Sequence, residues 1–360
     1  MSVSFDVSAE SGGYGIIVRP GLFPGILIEH PDAVVFADEY FAAILRRNGI
    51  TPISINAAET AKSLDAVAPV IEQMRRRGAN RQTQLLVVGG GIVQDLATFI
   101  ASIYMRGLTW CYVPTTLLSM VDSCIGGKSS INVGPYKNLV GTFHPPKTVL
   151  VDPHLAATLS TEQIVSGLVE AAKICFCRGE DAFVRYLSCN PSAALPVDTA
   201  EKIIIESLRA KKWFIEIDEF DKKERMLLNF GHTFGHAIEG ASHFHISHGI
   251  AVGLGILCAL EFERRSGANY SAAPRVRSLE DHLNVLLRQV PNLNKELRAL
   301  QVDEVVERFE SDKKHSPEHF TLILVSGTGE VVLTKLQKSA AVRNRIRSAV
   351  NAIVRRADEV

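Results

Sequence analysis

The chain has 360 residues, of which 46% are hydrophobic and 22% charged, and its 39 basic side chains equal its 39 acidic ones in number. A net charge of zero creates no overall attraction to nucleic acid or anionic lipid, so we expect neither as a partner. No apolar run approaches the roughly 20 residues of a membrane span, and the N-terminus lacks the pattern of a secretion signal. We therefore expect a cytoplasmic protein, and its length predicts two domains that share a cleft.

The first 160 residues alternate short β-like runs with helical patterns. GYGIIV, AVVFAD, LLVVG and TWCYV read as strands, whereas LDAVAPVIEQMRRRG and the stretch from IVQDL to IYMRG have helical spacing. Strands that alternate with helices indicate a parallel, doubly wound sheet. We predict a Rossmann-like α/β domain over residues 1–160, which binds a nucleotide.

Residues 161–360 are predicted to form a mainly helical domain that binds metal and substrate. Helical periodicity runs through EQIVSGLVEAAKICFC, TAEKIIIESLRAKKWFIEID, GIAVGLGILCALEFERR and LEDHLNVLLRQV. FTLILVSG and EVVLTKL, joined by a glycine-containing turn, predict a small hairpin. The basic, amphipathic tail over 340–360 is expected to pack on the protein or on a partner subunit. The six cysteines show no paired CxxC spacing, so we expect reduced and mostly buried thiols.

The segment LLVVGGGIVQD indicates a nucleotide site. An apolar strand leads into Gly89, Gly90 and Gly91 and then into a helix, whose N-terminal amides and dipole suit a pyrophosphate. The motif is not GxGxxG, and such a run also occurs in a simple tight turn. Asp95 lies one helical turn further on, and the hydroxyls of Thr115 and Thr116 follow the next strand, where open α/β sheets place ligand contacts.

The stretch GHTFGHAIEGASHFHISHG, residues 231–249, holds five histidines. His232 and His236 are four residues apart and share a helical face, so spacing alone makes them a candidate pair of metal ligands, although packing or capping fits the same spacing. Histidine together with carboxylate suits Zn²⁺. His243 and His245 are expected to be solvated, whereas His248 opens an apolar helix.

Basic residues occur in apolar surroundings where a charge is costly. Lysine offers a point charge and arginine a bidentate fork to phosphate or carboxylate, so together these residues predict a pocket for a multiply charged anion. They are Lys128, Lys137, Lys173, Lys211 and Arg225.

Taken together, these motifs resemble the 3-dehydroquinate synthase family of the sugar phosphate cyclase superfamily. The resemblance runs along nearly the whole chain and rests on the order of its motifs, of which no single one is specific. They include GGGIVQDLATFIASIYMRG, VPTTLLSMVDSCIGGKSSINVGPYKN, GLVEAAK, LLNFGHTFGHAIE, SHGIAVGLG and SDKKHSPEHFTLILVSG.

The resemblance implies NAD and one divalent cation, Zn²⁺ or Co²⁺, as cofactors. Its metal ligands fall on Glu170, His232 and His248, which replaces the pair suggested by spacing and gives His236 a substrate contact and a part in proton relay. Arg106 matches an arginine contributed across a homodimer interface. The other implied substrate contacts are Asp122, Lys128, Asn138, Lys173, Lys211, Arg225, Asn229 and Lys314, with Lys313 as the fallback for the last. The implied NAD contacts are Asp38, Glu59, Lys62, Gly89, Gly90, Gly91, Asp95, Thr115, Thr116, Lys137, Asn138, Thr158 and Glu162.

The implied reaction converts 3-deoxy-D-arabino-heptulosonate 7-phosphate, a small phosphorylated sugar acid, to 3-dehydroquinate and phosphate. It proceeds by NAD-mediated transient oxidation, phosphate elimination, reduction and intramolecular aldol cyclisation. NAD is regenerated in each cycle, and the elimination of phosphate breaks a carbon–oxygen bond, so the resemblance implies a lyase. Positioning matters more than strong acid–base groups, because the substrate's own phosphate can act as the base.

Several positions depart from the family pattern. Ile250 stands where the family usually has Glu, and a carboxylate near a metal histidine commonly fixes its ring. GGKSSIN, GTFHPP and the Ala58 before Glu59 also differ. Leu228, Asn229 and His236 follow the dehydroquinate pattern.

Three alternatives remain open at the level of the sequence. The first alternative is another cyclase, which acts on sedoheptulose 7-phosphate or glucose 6-phosphate. The second is a metal-dependent polyol dehydrogenase. The third alternative is a nucleotide-binding scaffold that has lost catalysis.

Overall fold

The computed structural model describes residues 2–23, 25–134 and 136–355 and divides into two compact units. Unit 1 comprises Met1–Leu159 and Leu195–Phe220, and unit 2 comprises Ser160–Ala194 and Asp221–Val360. The predicted domain border at 160/161 lies one residue after the change of unit at 159/160, but residues 195–220 cluster with unit 1. The sequence placed those residues in the second domain because their helical periodicity matches the segments around them.

The strands are, in chain order, β1 (Val3–Val7), β2 (Tyr14–Val18), β3 (Val34–Asp38), β4 (Ile53–Ile55), β5 (Leu85–Gly89), β6 (Trp110–Pro114), β7 (Ile131–Val133), β8 (Tyr136–Val140), β9 (Thr148–Val151), β10 (His319–Val325) and β11 (Val331–Gln337). The helices are α1 (Ile26–Glu29), α2 (Glu39–Arg47), α3 (Leu64–Arg76), α4 (Gly91–Ile103), α5 (Thr161–Arg178), α6 (Glu180–Ser188), α7 (Val197–Ile217), α8 (His232–Ala241), α9 (His248–Arg264), α10 (Pro274–Leu287), α11 (Leu293–Ala299), α12 (Val302–Glu310) and α13 (Ala340–Val354). Short 3₁₀ helices span Glu59–Ala61, Tyr104–Arg106, Pro153–Thr158 and Glu224–Asn229, and a π-helical turn spans Ser119–Ser123.

Unit 1 is built on a sheet with the strand order β1-β2-β9-β6-β5-β3-β4 among the described residues. All its neighbouring strands are parallel except β1 and β2. The chain leaves β3 toward β4 on one side and leaves β5 toward β6 on the other, although β3 and β5 are neighbours. Open sheets bind ligands at the carboxyl ends of strands where the order reverses in this way. The predicted α/β class is confirmed.

Helix α7 explains why residues 195–220 belong to unit 1. The Ser207 hydroxyl donates a hydrogen bond to the Val121 carbonyl at 2.9 Å, and the Ser207 side chain is fully buried. Past the helix end, the Glu219 carboxylate accepts a hydrogen bond from the Ser11 backbone at 3.0 Å. The apolar face of α7 therefore packs on the π-helical turn and on the edge of the sheet.

Unit 2 is mainly helical, as predicted. Helix α9 is buried along almost its whole length, which matches the apolar run from Gly249 to Leu260. Strands β10 and β11 form the predicted antiparallel hairpin. The tail helix α13 packs against α9 and α12 of the same unit and buries Ile346, Val350 and Ile353. Residues 356–360 of the predicted tail lie outside the described residues.

All six cysteines are free, and Cys111, Cys124, Cys175 and Cys258 are buried, as expected for structural thiols. In the part of the chain that the structure describes, no helix combines the length and apolar character needed to cross a membrane.

Candidate active site

The glycine loop of unit 1 joins the end of β5 to the start of α4. A Cβ added to Gly90 would lie 2.9 Å from Thr116 Cγ2, so a side chain there would collide with the loop after β6. Gly90 is the N-cap of α4, and no side chain caps the helix. The first amides of α4 therefore lie next to Thr115 and Thr116 at the carboxyl edge of the sheet, as an anion site requires.

Lys62 and Asp95 form an ion pair beside this loop. The Lys62 Nζ lies 2.7 Å from Asp95 Oδ2, and the two side chains are 11% and 20% exposed. Desolvation by burial raises the pKa of Asp95 to about 6, and the nearby Lys62 opposes the rise. The charged form of Asp95 is thus held in place by one lysine, although burial disfavours it.

Three further NAD candidates are linked through Asn132. The Asn132 side-chain amide donates to Glu59 Oε1 at 2.9 Å, and the Asn138 backbone amide donates to Asn132 Oδ1 at 2.9 Å. Lys137 Nζ lies 3.5 Å from the same Glu59 oxygen. The structure therefore brings Glu59, Lys137 and Asn138 together: Asn132 bonds to Glu59 and Asn138, and Lys137 pairs with Glu59.

The remaining NAD candidates are more dispersed. Asp38 ends β3 and caps α2, where its carboxylate accepts a hydrogen bond from the Phe41 amide at 2.9 Å, while burial raises its pKa. Thr158 donates its hydroxyl hydrogen to the Leu155 carbonyl at 2.7 Å in unit 1. Glu162 belongs to unit 2, in the first turn of α5. Asp38 thus lies at the strand end that the sheet topology favours.

Asp122 and Lys211 form the best-defined polar pair of unit 1 among the predicted substrate contacts. Lys211 Nζ lies 2.7 Å from Asp122 Oδ1 and donates to the Asp122 carbonyl at 2.5 Å, and the lysine is 6% exposed. Lys128 lies over the ring of Phe143, 5.8 Å from its centroid. Arg106 is exposed and has a left-handed backbone, with φ of 74°. The homodimer and the role of Arg106 stay predictions.

The centre of unit 2 is a carboxylate that is completely removed from solvent. Glu170 is 0% exposed, and neither of its carboxylate oxygens accepts a hydrogen bond from the described residues. The Lys173 ammonium, itself 2% exposed, forms an ion pair with Oε2 at 2.5 Å. A buried carboxylate with unsatisfied oxygens is costly, so the site favours a further cation.

Two imidazoles face the other oxygen of Glu170. His232 Nε2 lies 3.9 Å and His248 Nε2 lies 3.6 Å from Oε1. The Nδ1 atom of His232 lies 3.3 Å from the Phe230 carbonyl, and that of His248 lies 3.2 Å from Glu239 Oε2. Because these acceptors hold a proton on Nδ1, both Nε2 lone pairs are free to bind a metal.

His236 belongs to the same cluster but has a different environment. One ring nitrogen from each of His232, His236 and His248 lies within 4.8 Å of the others. Desolvation by the surrounding protein and the charges of His248 and Lys314 lower the pKa of His236. Within the described residues, neither ring nitrogen of His236 forms a hydrogen bond, and its side chain is exposed. The ring is therefore neutral and accessible to a ligand.

Close helix packing brings these groups together. A Cβ on Gly249 would lie 2.3 Å from the Ser166 carbonyl, so only glycine lets the start of α9 approach α5 one turn before Glu170. The Gly249 amide donates to the Ser166 hydroxyl at 3.2 Å. A Cβ on Gly255 would lie 2.1 Å from the Gly231 carbonyl, which brings α8 equally close to α9. His232 and His248 each open one of these helices.

The donor set fits a divalent cation. Metal–ligand bonds of about 2.0–2.1 Å in tetrahedral geometry place two donor atoms about 3.4 Å apart, close to the observed separations from Glu170 Oε1. One carboxylate with two imidazoles leaves a position for a substrate oxygen, the pattern of catalytic zinc sites. The Oε1 atom of Glu170, which has no hydrogen-bond donor among the described residues, gives the same indication independently.

The other predicted contacts of unit 2 lie in different settings. Arg225 is 4% exposed, and the Asn229 side chain donates to the Met226 carbonyl at 3.0 Å. Lys314 pairs with Asp312 at 3.1 Å. Burial is the largest cause of the lowered pKa of His232, and the charge of Lys314 lowers that pKa further. Lys313 is exposed and Lys314 is partly exposed, and Lys314 as the substrate contact stays a prediction.

The expectation that basic residues lie in costly apolar surroundings holds for only part of the set. Lys173, Lys211 and Arg225 are buried, but Lys128 is partly exposed and Lys137 is exposed. The reason is local: Lys137 belongs to β8, a strand of a two-stranded hairpin whose side chains face solvent. His243 and His245 are exposed, as predicted.

Two polar residues were missed by sequence reasoning. Glu239 lies seven positions after His232, so helical periodicity alone places both on one face of α8, and that signal was present. Asn132 follows GGKSSI without any pattern of its own. Its role comes from the pairing of β7 with β8, which spacing does not reveal.

The fold is that of dehydroquinate synthase-like enzymes. A structure of 2-deoxy-scyllo-inosose synthase complexed with carbaglucose-6-phosphate, NAD+ and Co2+ is similar with a TM-score of 0.83, at 22% identity, and covers 96% of this chain and 100% of that one. The 2-epi-5-epi-valiolone synthase of Streptomyces hygroscopicus, with NAD+ and Zn2+ bound, gives 0.77 at 23% identity, with coverage of 95% and 97%.

The family follows from the sequence matches. The 3-dehydroquinate synthase N-terminal family matches residues 52–166, and the 3-dehydroquinate synthase C-terminal family matches residues 167–315. The 3-dehydroquinate synthase of Dictyoglomus turgidum is 36% identical over 313 residues, which are 86% of this chain and 84% of that protein. That of Caulobacter vibrioides is 32% identical over 353 residues, 92% and 94% of the two chains. The chain belongs to the 3-dehydroquinate synthase family.

Proposed function

We propose that this protein is a 3-dehydroquinate synthase that uses NAD and a divalent cation, Zn²⁺ or Co²⁺, to convert 3-deoxy-D-arabino-heptulosonate 7-phosphate to 3-dehydroquinate and phosphate. The family membership supports the reaction. The observation that carries the metal dependence is the buried Glu170 carboxylate: Lys173 pairs with its Oε2, whereas Oε1 lacks a hydrogen-bond donor among the described residues and faces two imidazole Nε2 atoms.

Glu170, His232 and His248 would hold the cation, and the residues at the carboxyl edge of the unit 1 sheet would bind NAD. When bound, NAD would supply reversible hydride acceptance and the cation would supply a Lewis acid for a substrate oxygen. The family resemblance and the contacts of Lys62, Asp95 and Glu59 support this assignment of the NAD residues.

The cationic residues would bind the anionic groups of the substrate. Lys211, held by Asp122, offers a point charge, and the buried Arg225 offers a fork that suits phosphate or carboxylate. The neutral ring of His236 can donate one hydrogen bond and accept another, which suits a relay of protons. The proposed substrate contacts also include Lys128, Asn138, Lys173, Asn229 and Lys314.

The alternative functions share the fold but have less support. A probable glycerol dehydrogenase from Sinorhizobium meliloti is similar with a TM-score of 0.61 at 15% identity, a likeness of fold alone. A dehydrogenase consumes nicotinamide stoichiometrically and has no need of several buried cations. Other cyclases are matched structurally at 22–23% identity, below the 36% of the dehydroquinate synthase relative.

The test offers metal-loaded protein and NAD with 3-deoxy-D-arabino-heptulosonate 7-phosphate and, in parallel, with sedoheptulose 7-phosphate. We expect phosphate release and 3-dehydroquinate from the first substrate, with no accumulation of NADH. Consumption of the second substrate alone would identify another cyclase, and net NADH would identify a dehydrogenase. A Glu170→Gln protein serves as the control without the metal carboxylate.

A further inference from the structure

A carboxylate from helix α8 holds the ring of His248, which opens helix α9. Glu239 Oε2 lies 3.2 Å from His248 Nδ1, and the Glu239 side chain is only 19% exposed. The Nε2 atom of the same ring lies 3.6 Å from Glu170 Oε1. The imidazole is therefore held at Nδ1 by a carboxylate from α8, while its Nε2 faces the carboxylate from α5 without a hydrogen bond.

Position 250 does not provide such a contact in this fold. Residues two apart on a helix point to nearly opposite sides, so a side chain at 250 faces away from the ring of His248. Ile250 is 1% exposed and belongs to the apolar interior of unit 2. A carboxylate for His248 must therefore come from another element.

We infer that Glu239 is the positioning residue for His248: it holds the proton on Nδ1 and aims Nε2 at the proposed metal position, so that the chain functions with isoleucine at position 250. This inference rests on the proposed metal site. It identifies Glu239 as the residue that favours His248, rather than the neighbouring His236, as a metal ligand. Glu239 touches neither substrate nor cofactor in this role and acts only through His248.

The contrast among the three clustered histidines supports the inference. His232 Nδ1 faces the Phe230 carbonyl and His248 Nδ1 faces Glu239, whereas no hydrogen bond to His236 occurs within residues 2–23, 25–134 and 136–355. Only the first two rings also lie within 4.0 Å of the Glu170 carboxylate. Metal-bound histidines generally donate their second N–H to a carboxylate or carbonyl, so the two held rings have the environment of ligands.

The charge of Glu239 adds to the effect of its geometry. Glu239 is a second carboxylate near the proposed cation, besides Glu170, and only the His248 ring lies between them. A hydrogen bond from the ring to this carboxylate raises the basicity of the metal-bound ring. A glutamine at 239 keeps an oxygen acceptor but loses the charge, and it can also turn its NH₂ toward Nδ1. An alanine removes the acceptor altogether. The two variants therefore predict losses of different size.

The experiment measures the affinity of the full-length protein, without substrate or NAD, for Zn²⁺ and Co²⁺ by competition with a chelator. Removing such a partner typically costs about 10–100-fold in metal affinity, so we expect a loss of this size for Glu239→Ala and a smaller loss for Glu239→Gln. Glu263→Gln is the control, because Glu263 is a half-buried glutamate on the same helix α9, about four turns from His248. Its affinity should equal that of the wild type.

A second measurement separates positioning from a general loss of structure. At a pH at which the ring is neutral, ¹⁵N-detected NMR of the histidine rings should show His248 protonated on Nδ1 in the metal-free wild type and a mixture of tautomers in Glu239→Ala, with unchanged thermal unfolding of that variant. Wild-type affinity in both Glu239 variants, or an unchanged His248 tautomer in Glu239→Ala, would overturn the inference. Wild-type protein that binds no metal would instead refute the proposed function.

Discussion

The substitution Gly249→Ala tests whether close helix packing builds the candidate metal site. Gly249 follows His248 at the start of α9, and an added Cβ would lie 2.3 Å from both the carbonyl and the hydroxyl oxygen of Ser166 on α5. Ordinary contacts of this kind begin near 3.4 Å. The two helices must therefore separate by about 1 Å, or the backbone of Ser166 must distort.

The cost follows from overpacking and from a lost hydrogen bond. Overpacking typically costs about 1–3 kcal/mol, and the bond from the Gly249 amide to the Ser166 hydroxyl contributes roughly another 1 kcal/mol. Alanine regains about 1 kcal/mol of helix propensity. We expect a net loss of about 1–3 kcal/mol in the free energy of unfolding. Metal–ligand bonds tolerate deviations of only about 0.2 Å, so a displaced His248 should also weaken metal binding at least tenfold.

Gly253→Ala is the matched control, one turn further along the same helix. Its added Cβ would lie 3.3 Å from the two methyl groups of Val169, also on α5, and these can shift by the few tenths of an ångström required. Its unfolding free energy should equal or exceed that of the wild type, with unchanged affinity for Zn²⁺. Chelator competition and denaturant unfolding of both variants provide the comparison. If Gly249→Ala binds metal as tightly as Gly253→Ala, the packing argument is wrong.

Three more predictions follow from the contacts described. Glu170→Gln removes the anion 2.5 Å from the buried Lys173 ammonium, so denaturant unfolding of the metal-free protein should show a loss of about 3–5 kcal/mol in the free energy of unfolding. Chelator competition should detect no tight metal site in this variant. Wild-type stability of the variant would contradict the prediction. Gly90→Ala should raise the Kd for NAD about ten- to hundredfold by titration calorimetry, because its Cβ would lie 2.9 Å from a Thr116 methyl group; an unchanged Kd would exclude the close approach. Burial lowers the pKa of His282 to about 4. Between about pH 6.5 and 4 the unfolded state therefore binds more protons than the folded state, so stability that is present above pH 6.5 is lost as the pH falls. This contribution should reach roughly 3 kcal/mol, so His282→Gln should lose that much less stability over the same pH range; equal pH profiles of unfolding for both proteins would refute it.

The fold was predictable where one segment carried a clear pattern. The alternation of apolar strands and helices gave the parallel sheet, and the apolar GIAVGLGILCAL segment gave the buried helix α9. The position of α7 was not predictable, because an amphipathic helix carries no sign of which body covers its apolar face. Its placement depends on a contact between Ser207 and Val121, 86 residues apart in the chain.

The candidate site was predictable only as far as local spacing and family resemblance reach. Spacing four apart correctly puts His232 and His236 in contact, with ring centroids 5.1 Å apart. Proximity of two histidines does not make them a ligand pair, however: the proposed ligands also face the Glu170 carboxylate and have Nδ1 beside an acceptor, and His236 has neither contact among the described residues. His248, from the next helix, meets both conditions, through Glu170 and Glu239.

The glycines explain why spacing alone was insufficient. Helices α8 and α9 start with His232 and His248. Helix α9 approaches the start of α8 where Gly255 meets the Gly231 carbonyl, and it approaches α5 where Gly249 meets Ser166. An added Cβ would forbid either approach. The separation of the two imidazoles is thus fixed by contacts between backbones of different elements. A sequence pattern reports periodicity within one element, so it identifies the histidines that share a face and misses the one that a neighbouring helix supplies. The small residues beside His232 and His248 are therefore as much a part of the proposed metal site as the proposed ligands themselves.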